Sequence, residues 1–276
     1  MRYIPASDSD IRKMMQDIGI DRIEELFTTI PQKFHFNGDF SFPKNLSEQE
    51  LTEHLWGLSN KNQNLLEFSS FLGGGAYYHY TPALVDALIS RGEFMTSYTP
   101  YQPEISQGTL QAIFEFQSLI CEITGLDIAN ASMYDGASSA AEAVLMARRL
   151  KSGRNKILIS NAVHPNYRQV IRTYTSNLPV AIVALPFQEN GQTDHAALQK
   201  NLDDQTICVV VQSPNYFGVI EDQESLFAET KAAGALSICV ITEALSLGIL
   251  KSPGECGADI AAGETQSLGL SLGYGG

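Results

Sequence analysis

The chain has 276 residues, of which 44% are hydrophobic and 18% are charged, and its formal net charge at pH 7 is −13. This composition is typical of a globular protein with a core, and the length predicts one large domain or slightly more. The negative charge argues against nucleic acid and anionic membranes as partners, because their phosphates would repel the protein.

The sequence lacks the apolar segments that direct a chain to a membrane. No run approaches the ~18 apolar residues of a membrane span, and MRYIPASDSDIRKMM has no apolar signal-peptide region. We therefore expect a cytoplasmic protein. Cys208 and Cys239 lie in apolar, strand-like runs without CxxC spacing, which predicts small buried thiols in a reducing compartment. The five histidines do not cluster, so no metal site is predicted.

Residues 1–65 are predicted to form a helical arm with little core of its own. Ser7 and Asp8 precede an apolar-periodic run that Gly19 closes, which predicts a capped helix. A second short helix is expected from Asp21 to Pro31, and SEQEL at 47–51 opens a third that runs to about Gly57. An arm of this kind usually wraps a neighbouring body, often a partner subunit.

Residues 66–109 show no regular period and include GGG at 73–75 and YTPYQPEISQGT at 98–109. A long structureless segment inside a compact domain is usually functional. The three glycines allow a close backbone approach, although a plain flexible turn explains them equally well. Apolar residues at a spacing of three to four from Leu110 to Ile123, followed by Gly125, predict a helix after this segment.

From residue 138 onward, helices and strands alternate. Strands are predicted at 156–160, 180–186, 206–215, 236–243 and 258–264, and helices at 138–151, after HPN at 164–166, at 194–202 and at 222–233. Short β-branched strands separated by helices indicate βαβ units. The sequence therefore predicts an α/β body over 66–276, with a mostly parallel sheet and helices on both faces.

Ligands of such a sheet bind beyond the carboxyl ends of the strands and at helix N-termini. In DGASSAAEA at 135–143, Ser138 and Ser139 open a helix and could hold a phosphate, but plain N-capping explains them as well. His164 follows a strand and could stack on a flat heterocycle or cap a helix. Glu243 ends a strand and could neutralise a pyridinium nitrogen or be a partly solvated acid. A glycine-rich loop at 263–276 is the last candidate.

Three long stretches closely resemble the P-protein of the glycine cleavage system. They are FLGGGAYYHYTPALVDALISRGEF at 71–94, SYTPYQPEISQGTLQAIFEFQ at 97–117 and NASMYDGASSAAEAVLMA at 130–147. The resemblance covers nearly the whole chain and is strongest to the first subunit of split enzymes, or the N-terminal half of others. It implies a fold-type I pyridoxal-phosphate transferase-like body. Further strands and a small C-terminal domain are absent, so a truncated chain with an open sheet edge is expected.

The resemblance also implies chemistry that this chain lacks. The family holds pyridoxal phosphate as a Schiff base on a lysine, which should lie in TQSLGLSLGYGG at 265–276, where Ser267 stands instead. Glu243 replaces the usual aspartate. The pocket formed by Ser138, Ser139, His164, Glu243 and Ser267 is thus expected to be vestigial, with pyridoxal phosphate bound by the partner subunit and none attached to this chain. The implied partners are the homologous, lysine-bearing subunit 2, glycine and the lipoylated H-protein.

In the family the working site lies near the interface between the two homologous halves, so a non-catalytic half can still form one wall of it. Tyr98, Tyr101, Gln102 and Glu104 are the candidates for this wall, because prolines stiffen their loop and their side chains offer polar groups. The loop could equally be packing between subunits. We expect a non-catalytic subunit of glycine decarboxylase; the alternatives are a purely structural pseudoenzyme partner without substrate contact, and an independent pyridoxal enzyme using another lysine.

Overall fold

The computed structural model describes residues 6–36, 38–63, 65, 67–71, 73–75, 77–95 and 98–273. The chain divides into two compact units, residues 1–63 and 64–276. In the first unit, α1 spans Asp8–Ile18 and α2 spans Glu48–Ser59, and short 3-10 helices span Ile23–Phe27 and Gln32–Phe34.

Local capping accounts for the helices of the first unit. The Ser7 hydroxyl accepts a hydrogen bond from the Asp10 N–H at 3.3 Å, and the Asp10 carboxylate accepts one from the Ser7 N–H at 2.8 Å. Ser47 and Glu50 repeat this capping box at the start of α2. None of the residues in these four helices is buried. The helix expected from Asp21 to Pro31 is only a single 3-10 segment.

The second unit begins with helices and continues as alternating strands and helices. Its helices are α3 (Ala83–Ile89), α4 (Gly92–Met95), α5 (Gln107–Thr124), α6 (Gly136–Leu150), α7 (Pro165–Thr175), α8 (His195–Asn201) and α9 (Gln223–Ala232). Its strands are β1 (Lys156–Ser160), β2 (Ala181–Leu185), β3 (Thr206–Gln212), β4 (Leu236–Ile241) and β5 (Ile260–Gly263). The 3-10 helices Ala244–Gly248 and Gln266–Leu268 follow β4 and β5.

Two of these helices correct the prediction that 66–109 lacks regular structure. The stretch ALVDALI forms α3 behind Pro82, and GEFM forms the single turn α4. Seven and four residues are too few for a 3.6-residue period to stand out from the surrounding prolines, glycines and aromatic residues. None of the helices in the described ranges is long and apolar enough to cross a bilayer.

The five strands form one parallel sheet in the order β2-β1-β3-β4-β5. Successive residues of a strand face opposite sides, and helices cover both. Side chains of α6 and α7 pack on one face in a cluster that includes Val144, Ala147, Ile171, Ile159, Val210 and Ile238. Side chains of α8 and α9 pack on the other face in a cluster that includes Leu198, Leu226, Phe227, Leu158, Val209 and Cys239. The predicted α/β fold class is confirmed.

Candidate functional site

A cleft of about 440 Å³ lies at the carboxyl edge of the sheet, beside the N-terminus of α6. Its walls come from the glycine run, the segment before α6, the start of α7, and the ends of β4 and β5. The residues are Gly74, Gly75, Tyr134, Asp135, Ala137, His164, Asn166, Tyr167, Thr242, Glu264 and Gln266. This is the place where open α/β sheets bind ligands, so it is the candidate site.

The N-terminus of α6 is capped by two carboxylates. Asp135 is the N-cap, and its Oδ1 accepts a hydrogen bond from the Ser138 N–H at 2.8 Å. The Ser138 hydroxyl donates to the Asp135 carbonyl oxygen at 3.1 Å. Glu264 Oε1 accepts a hydrogen bond from the Gly136 N–H at 2.6 Å. Ser138 is therefore engaged in capping, and Ser139 lines a neighbouring pocket with Phe116 and Ile120 instead of the cleft.

Gly136 is buried and fits tightly between two side chains. A Cβ at this position would lie 2.0 Å from the Tyr167 hydroxyl oxygen and 2.9 Å from Glu264 Oε1. Tyr167 donates a weak hydrogen bond to the same Glu264 oxygen at 3.4 Å. Burial, the nearby Glu264 charge and hydrogen bond, and the charge of Asp135 raise the pKa of Tyr167, so its hydroxyl stays protonated.

His164 lies in the cleft, and both of its ring nitrogens have partners. Nδ1 accepts a hydrogen bond from the Asn166 N–H at 3.1 Å, which assigns the ring proton to Nε2. Nε2 then donates to the Gly74 carbonyl oxygen at 2.7 Å. The Tyr216 ring packs edge-on against the His164 ring, with centroids 5.1 Å apart. The structure thus gives this histidine the capping role, with contacts to the glycine run.

Gln212, which sequence reasoning did not select, links His164 to Thr242, the residue directly after β4. Its Oε1 accepts a hydrogen bond from the His164 N–H at 2.7 Å, and its Nε2 donates to Thr242 Oγ1 at 3.1 Å. The side chain is only 2% exposed. The signal that could have found it is a polar residue ending the apolar run TICVVVQ.

Thr242, rather than Glu243, lines the cleft at the end of β4. Glu243 Oε1 accepts a hydrogen bond from the Leu245 N–H at 3.1 Å and so caps the 3-10 helix Ala244–Gly248. Its Oε2 lies 2.9 Å from His79 Nε2. Burial raises the pKa of Glu243, but the neighbouring Ser267 hydroxyl, His79 and the Leu245 N–H together outweigh burial, and the net pKa is lowered.

Ser267 lies in the 3-10 helix Gln266–Leu268 after β5. Its Oγ is buried beside the Glu243 carboxylate but makes no hydrogen bond of standard geometry. Residues 252–276 contain no lysine. The nearest one, Lys251, pairs with Glu224, and this hydrogen bond and the charge of Glu224 raise the pKa of Lys251. A protonated lysine is not a nucleophile.

The residues expected to form an interface wall lie in the exposed loop 98–106, outside the cleft. Tyr98 and Tyr101 are 85% and 81% exposed, and Gln102 and Glu104 are exposed as well. The loop is held locally, since the Gln102 carbonyl oxygen accepts hydrogen bonds from the Ile105 and Ser106 N–H groups. The structure therefore brings His164 and the start of α6 together and leaves Glu243, Ser267 and this loop outside the cleft.

Comparisons with known proteins identify relatives along the whole chain. The probable glycine dehydrogenase (decarboxylating) subunit 1 of Koribacter versatilis is 50% identical over 278 residues, covering 100% of this chain and 61% of the relative. The corresponding protein of a Geobacillus species is 46% identical over 275 residues, with the same coverage. The chain thus spans about 61% of the length of these curated relatives.

A solved structure and a family model point to the same group of proteins as these relatives. A crystal structure of glycine decarboxylase (P-protein) of the glycine cleavage system, in inhibitor-bound form, superposes with a TM-score of 0.87 at 44% identity, covering 100% of this chain and 61% of that one. A sphingosine-1-phosphate lyase of Burkholderia pseudomallei, at 16% identity and a TM-score of 0.56 over 76% of this chain and 51% of that one, shares the fold alone. The family described as glycine cleavage system P-protein matches residues 1–276. The chain therefore belongs to the glycine cleavage system P-protein family.

Proposed function

We propose that this chain acts as subunit 1 of a two-subunit glycine dehydrogenase (decarboxylating). A homologous, lysine-bearing subunit 2 holds pyridoxal phosphate and decarboxylates glycine, and the lipoylated H-protein receives the aminomethyl group. This chain supplies structure and one wall of the interface site. The similarity to subunit 1 over the entire chain, together with the absence of lysine from residues 264–276, is the observation that carries the proposal.

The residues of the cleft do not fit pyridoxal phosphate. The cofactor needs an amine for its Schiff base, and residues 252–276 offer none. It needs a carboxylate beside the pyridinium nitrogen, but Glu243 faces His79 and caps a 3-10 helix. It needs free N–H groups for its phosphate, but carboxylates occupy those of Gly136 and Ser138. These three mismatches support a partner subunit as the holder of the cofactor.

The exposed loop 98–106 supports a role at the interface. Tyr98 and Tyr101 present large amphipathic rings, and aromatic residues of this kind are enriched in protein interfaces. Neighbouring Gln102 and Glu104 add hydrogen-bonding groups. The proposed wall therefore consists of Tyr98, Tyr101, Gln102 and Glu104.

The test is reconstitution with the lysine-bearing homologue and lipoylated H-protein. We expect glycine-dependent CO2 release by the mixture and none by this chain alone. A Schiff-base absorption band formed on this chain, or CO2 release without the partner, would contradict the proposal. A mixture that assembles but gains no activity over the partner alone would also contradict it.

One specific observation favours the alternative of a purely structural partner: the polar groups of the cleft are engaged with one another. Tyr101→Phe and Glu104→Gln in the reconstituted complex separate the two functions. Loss of turnover, by about tenfold or more with assembly intact, supports substrate or active-site contact. Unchanged turnover supports the structural role. Tyr174→Phe on α7 and Glu189→Gln are matched controls, because both residues are exposed and lie outside the loop.

A further inference from the structure

The N-terminus of α6 could bind an anion by its backbone geometry, but N–H groups there already have partners within the protein. A helix N-terminus presents free N–H groups and the positive end of the helix dipole, and so attracts anions. Here the protein supplies the anions itself. Glu264 Oε1 lies 2.6 Å from the Gly136 nitrogen, and Asp135 Oδ1 lies 2.8 Å from the Ser138 nitrogen.

These two carboxylates differ in origin. Asp135 is the ordinary N-cap of its own helix. Glu264 comes from 128 residues further along the chain, where it directly follows β5. The N-cap alone would leave the Gly136 N–H free, so the second carboxylate completes the closure.

The packing around Gly136 keeps Glu264 in this position. The absence of a Cβ lets the Tyr167 hydroxyl and the Glu264 carboxylate approach the helix backbone, since a Cβ would lie 2.0 Å from the former and 2.9 Å from the latter. Tyr167 also donates to Glu264 Oε1, at 3.4 Å. Glu264 Oε1 thus accepts hydrogen bonds from both the helix N-terminus and the tyrosine hydroxyl.

We propose that Glu264, together with Asp135, closes the N-terminus of α6 against phosphate groups, so that the cleft excludes anionic ligands. A phosphate placed on these N–H groups would have to displace Glu264 and would face two negative charges at a few ångströms, where repulsion is strong. This inference rests on the proposed function, in which the phosphate-bearing cofactor is held by the partner. It adds the residues that keep the cofactor off this chain.

The experiment measures phosphate binding by the 276-residue chain, with inorganic phosphate and pyridoxal phosphate as separate probes in calorimetry. Glu264→Gln keeps an acceptor for the Gly136 N–H but removes one charge. Asp135→Asn removes the other charge, and asparagine caps helices as well as aspartate does. Asp194→Asn, at the N-cap of α8, is the matched control, because it removes the same charge from a different helix.

We expect no saturable phosphate binding by the unaltered chain or by Asp194→Asn. Glu264→Gln or Asp135→Asn should bind phosphate saturably, with an association constant at least about tenfold above the upper limit set by the unaltered chain. Circular dichroism identifies a variant that fails to fold, and the other variant then decides the result. Saturable phosphate binding by the unaltered chain would overturn the inference, as would folded variants that gain nothing over Asp194→Asn. Covalent capture of pyridoxal phosphate by the unaltered chain would instead overturn the proposed function.

Discussion

At the residue scale, a short hydrogen bond in the cleft joins the glycine run to His164. Gly74 and Gly75 have φ of +86° and +93°, a region that costs other residues about 1 kcal/mol or more. A Cβ on Gly75 would lie 3.3 Å from the His164 ring carbon Cδ2, whereas a Cβ on Gly74 meets no atom within 4 Å. Gly75→Ala therefore carries a steric cost that Gly74→Ala does not.

We expect Gly74→Ala to lower the free energy of unfolding by about 1 kcal/mol, through backbone strain alone. Gly75→Ala should lower it by about 1 kcal/mol more, because the ring or the loop must also shift. Urea unfolding of the two variants measures the difference. Equal destabilisation would show that the glycine run does not pack on His164 in solution.

Glu243 allows a second prediction at the residue scale, which concerns how the stability of the protein depends on pH. Burial alone would raise the pKa of Glu243 in the folded chain, but the neighbouring Ser267 hydroxyl and the hydrogen bonds from His79 and the Leu245 N–H outweigh burial and lower it. A lowered folded pKa contributes stability that is present above the unfolded pKa and is lost as the pH falls through the folded one. Glu243 should therefore contribute fully to the free energy of unfolding at neutral pH, and its contribution should decrease as the pH falls into the acid range.

Glu243→Gln tests this by urea unfolding at several pH values. We expect the variant to be less stable by about 1 kcal/mol at neutral pH, and the difference to shrink as the pH falls from about 5 to about 3. His79→Gln removes one of the donors and should show a smaller effect in the same direction. A stability difference that is constant over this range would contradict the lowered pKa.

The sequence alone could not predict every residue that lines the cleft. His164 was expected in a pocket at the strand ends, and it lines the cleft. Thr242 and Glu243 are adjacent in sequence, and successive side chains of a strand face opposite sides. A shift of one position therefore changes which of the two lines the cleft, and in the structure it is Thr242. Glu264 and Tyr167 were missed, because their contacts join positions 128 and 97 residues apart, which no local pattern reveals.

At the element scale, the strands and most helices could be predicted because their signals are local. Each of the five strands lies inside a run predicted as a strand, and α1, α2, α5, α6, α8 and α9 lie within a few residues of their predicted bounds. A helix was also predicted where α7 begins. The exceptions are α3 and α4, which are too short to show a period. Strand order required the three-dimensional structure, because βαβ units fix parallel pairing but leave several orders open.

The helices of the first unit allow a prediction about folding in isolation. Both α1 and α2 have complete capping boxes, but they have 11 and 12 residues and bury none. Isolated helices shorter than ~12–15 residues are marginal in water. A peptide of residues 6–63 should therefore show weak helical circular dichroism and melt without a cooperative transition.

A matched comparison is the segment 64–276, which contains the sheet and both core clusters. It should unfold cooperatively, because fully buried residues from several elements pack together. A sharp thermal transition in the peptide 6–63 would contradict the prediction and would reveal a core that its burial pattern does not contain.

At the scale of the whole molecule, the exposed apolar side chains are the basis for a prediction about assembly. Both units expose large apolar side chains: Phe42 and Trp56 in the first are 77% and 65% exposed, and Phe71 and Ile105 in the second are 97% and 81% exposed. Surfaces of this kind mark interaction sites when they are contiguous. In the described sheet, β2 and β5 are the edge strands and offer unpaired backbone groups.

We expect the chain alone to self-associate in sedimentation velocity, with a mean size that increases with protein concentration. Apolar burial drives this association, and the net charge of −13 opposes it. Added sodium sulfate should therefore increase association, because it screens the charge and strengthens apolar burial. Addition of the lysine-bearing homologue at equimolar concentration should replace this distribution with one defined larger species, since a partner that covers the apolar surface stabilises the folded chain by mass action. A chain that stays monomeric at every concentration and salt level, and that does not bind the homologue, would show that these exposed side chains are not an assembly surface.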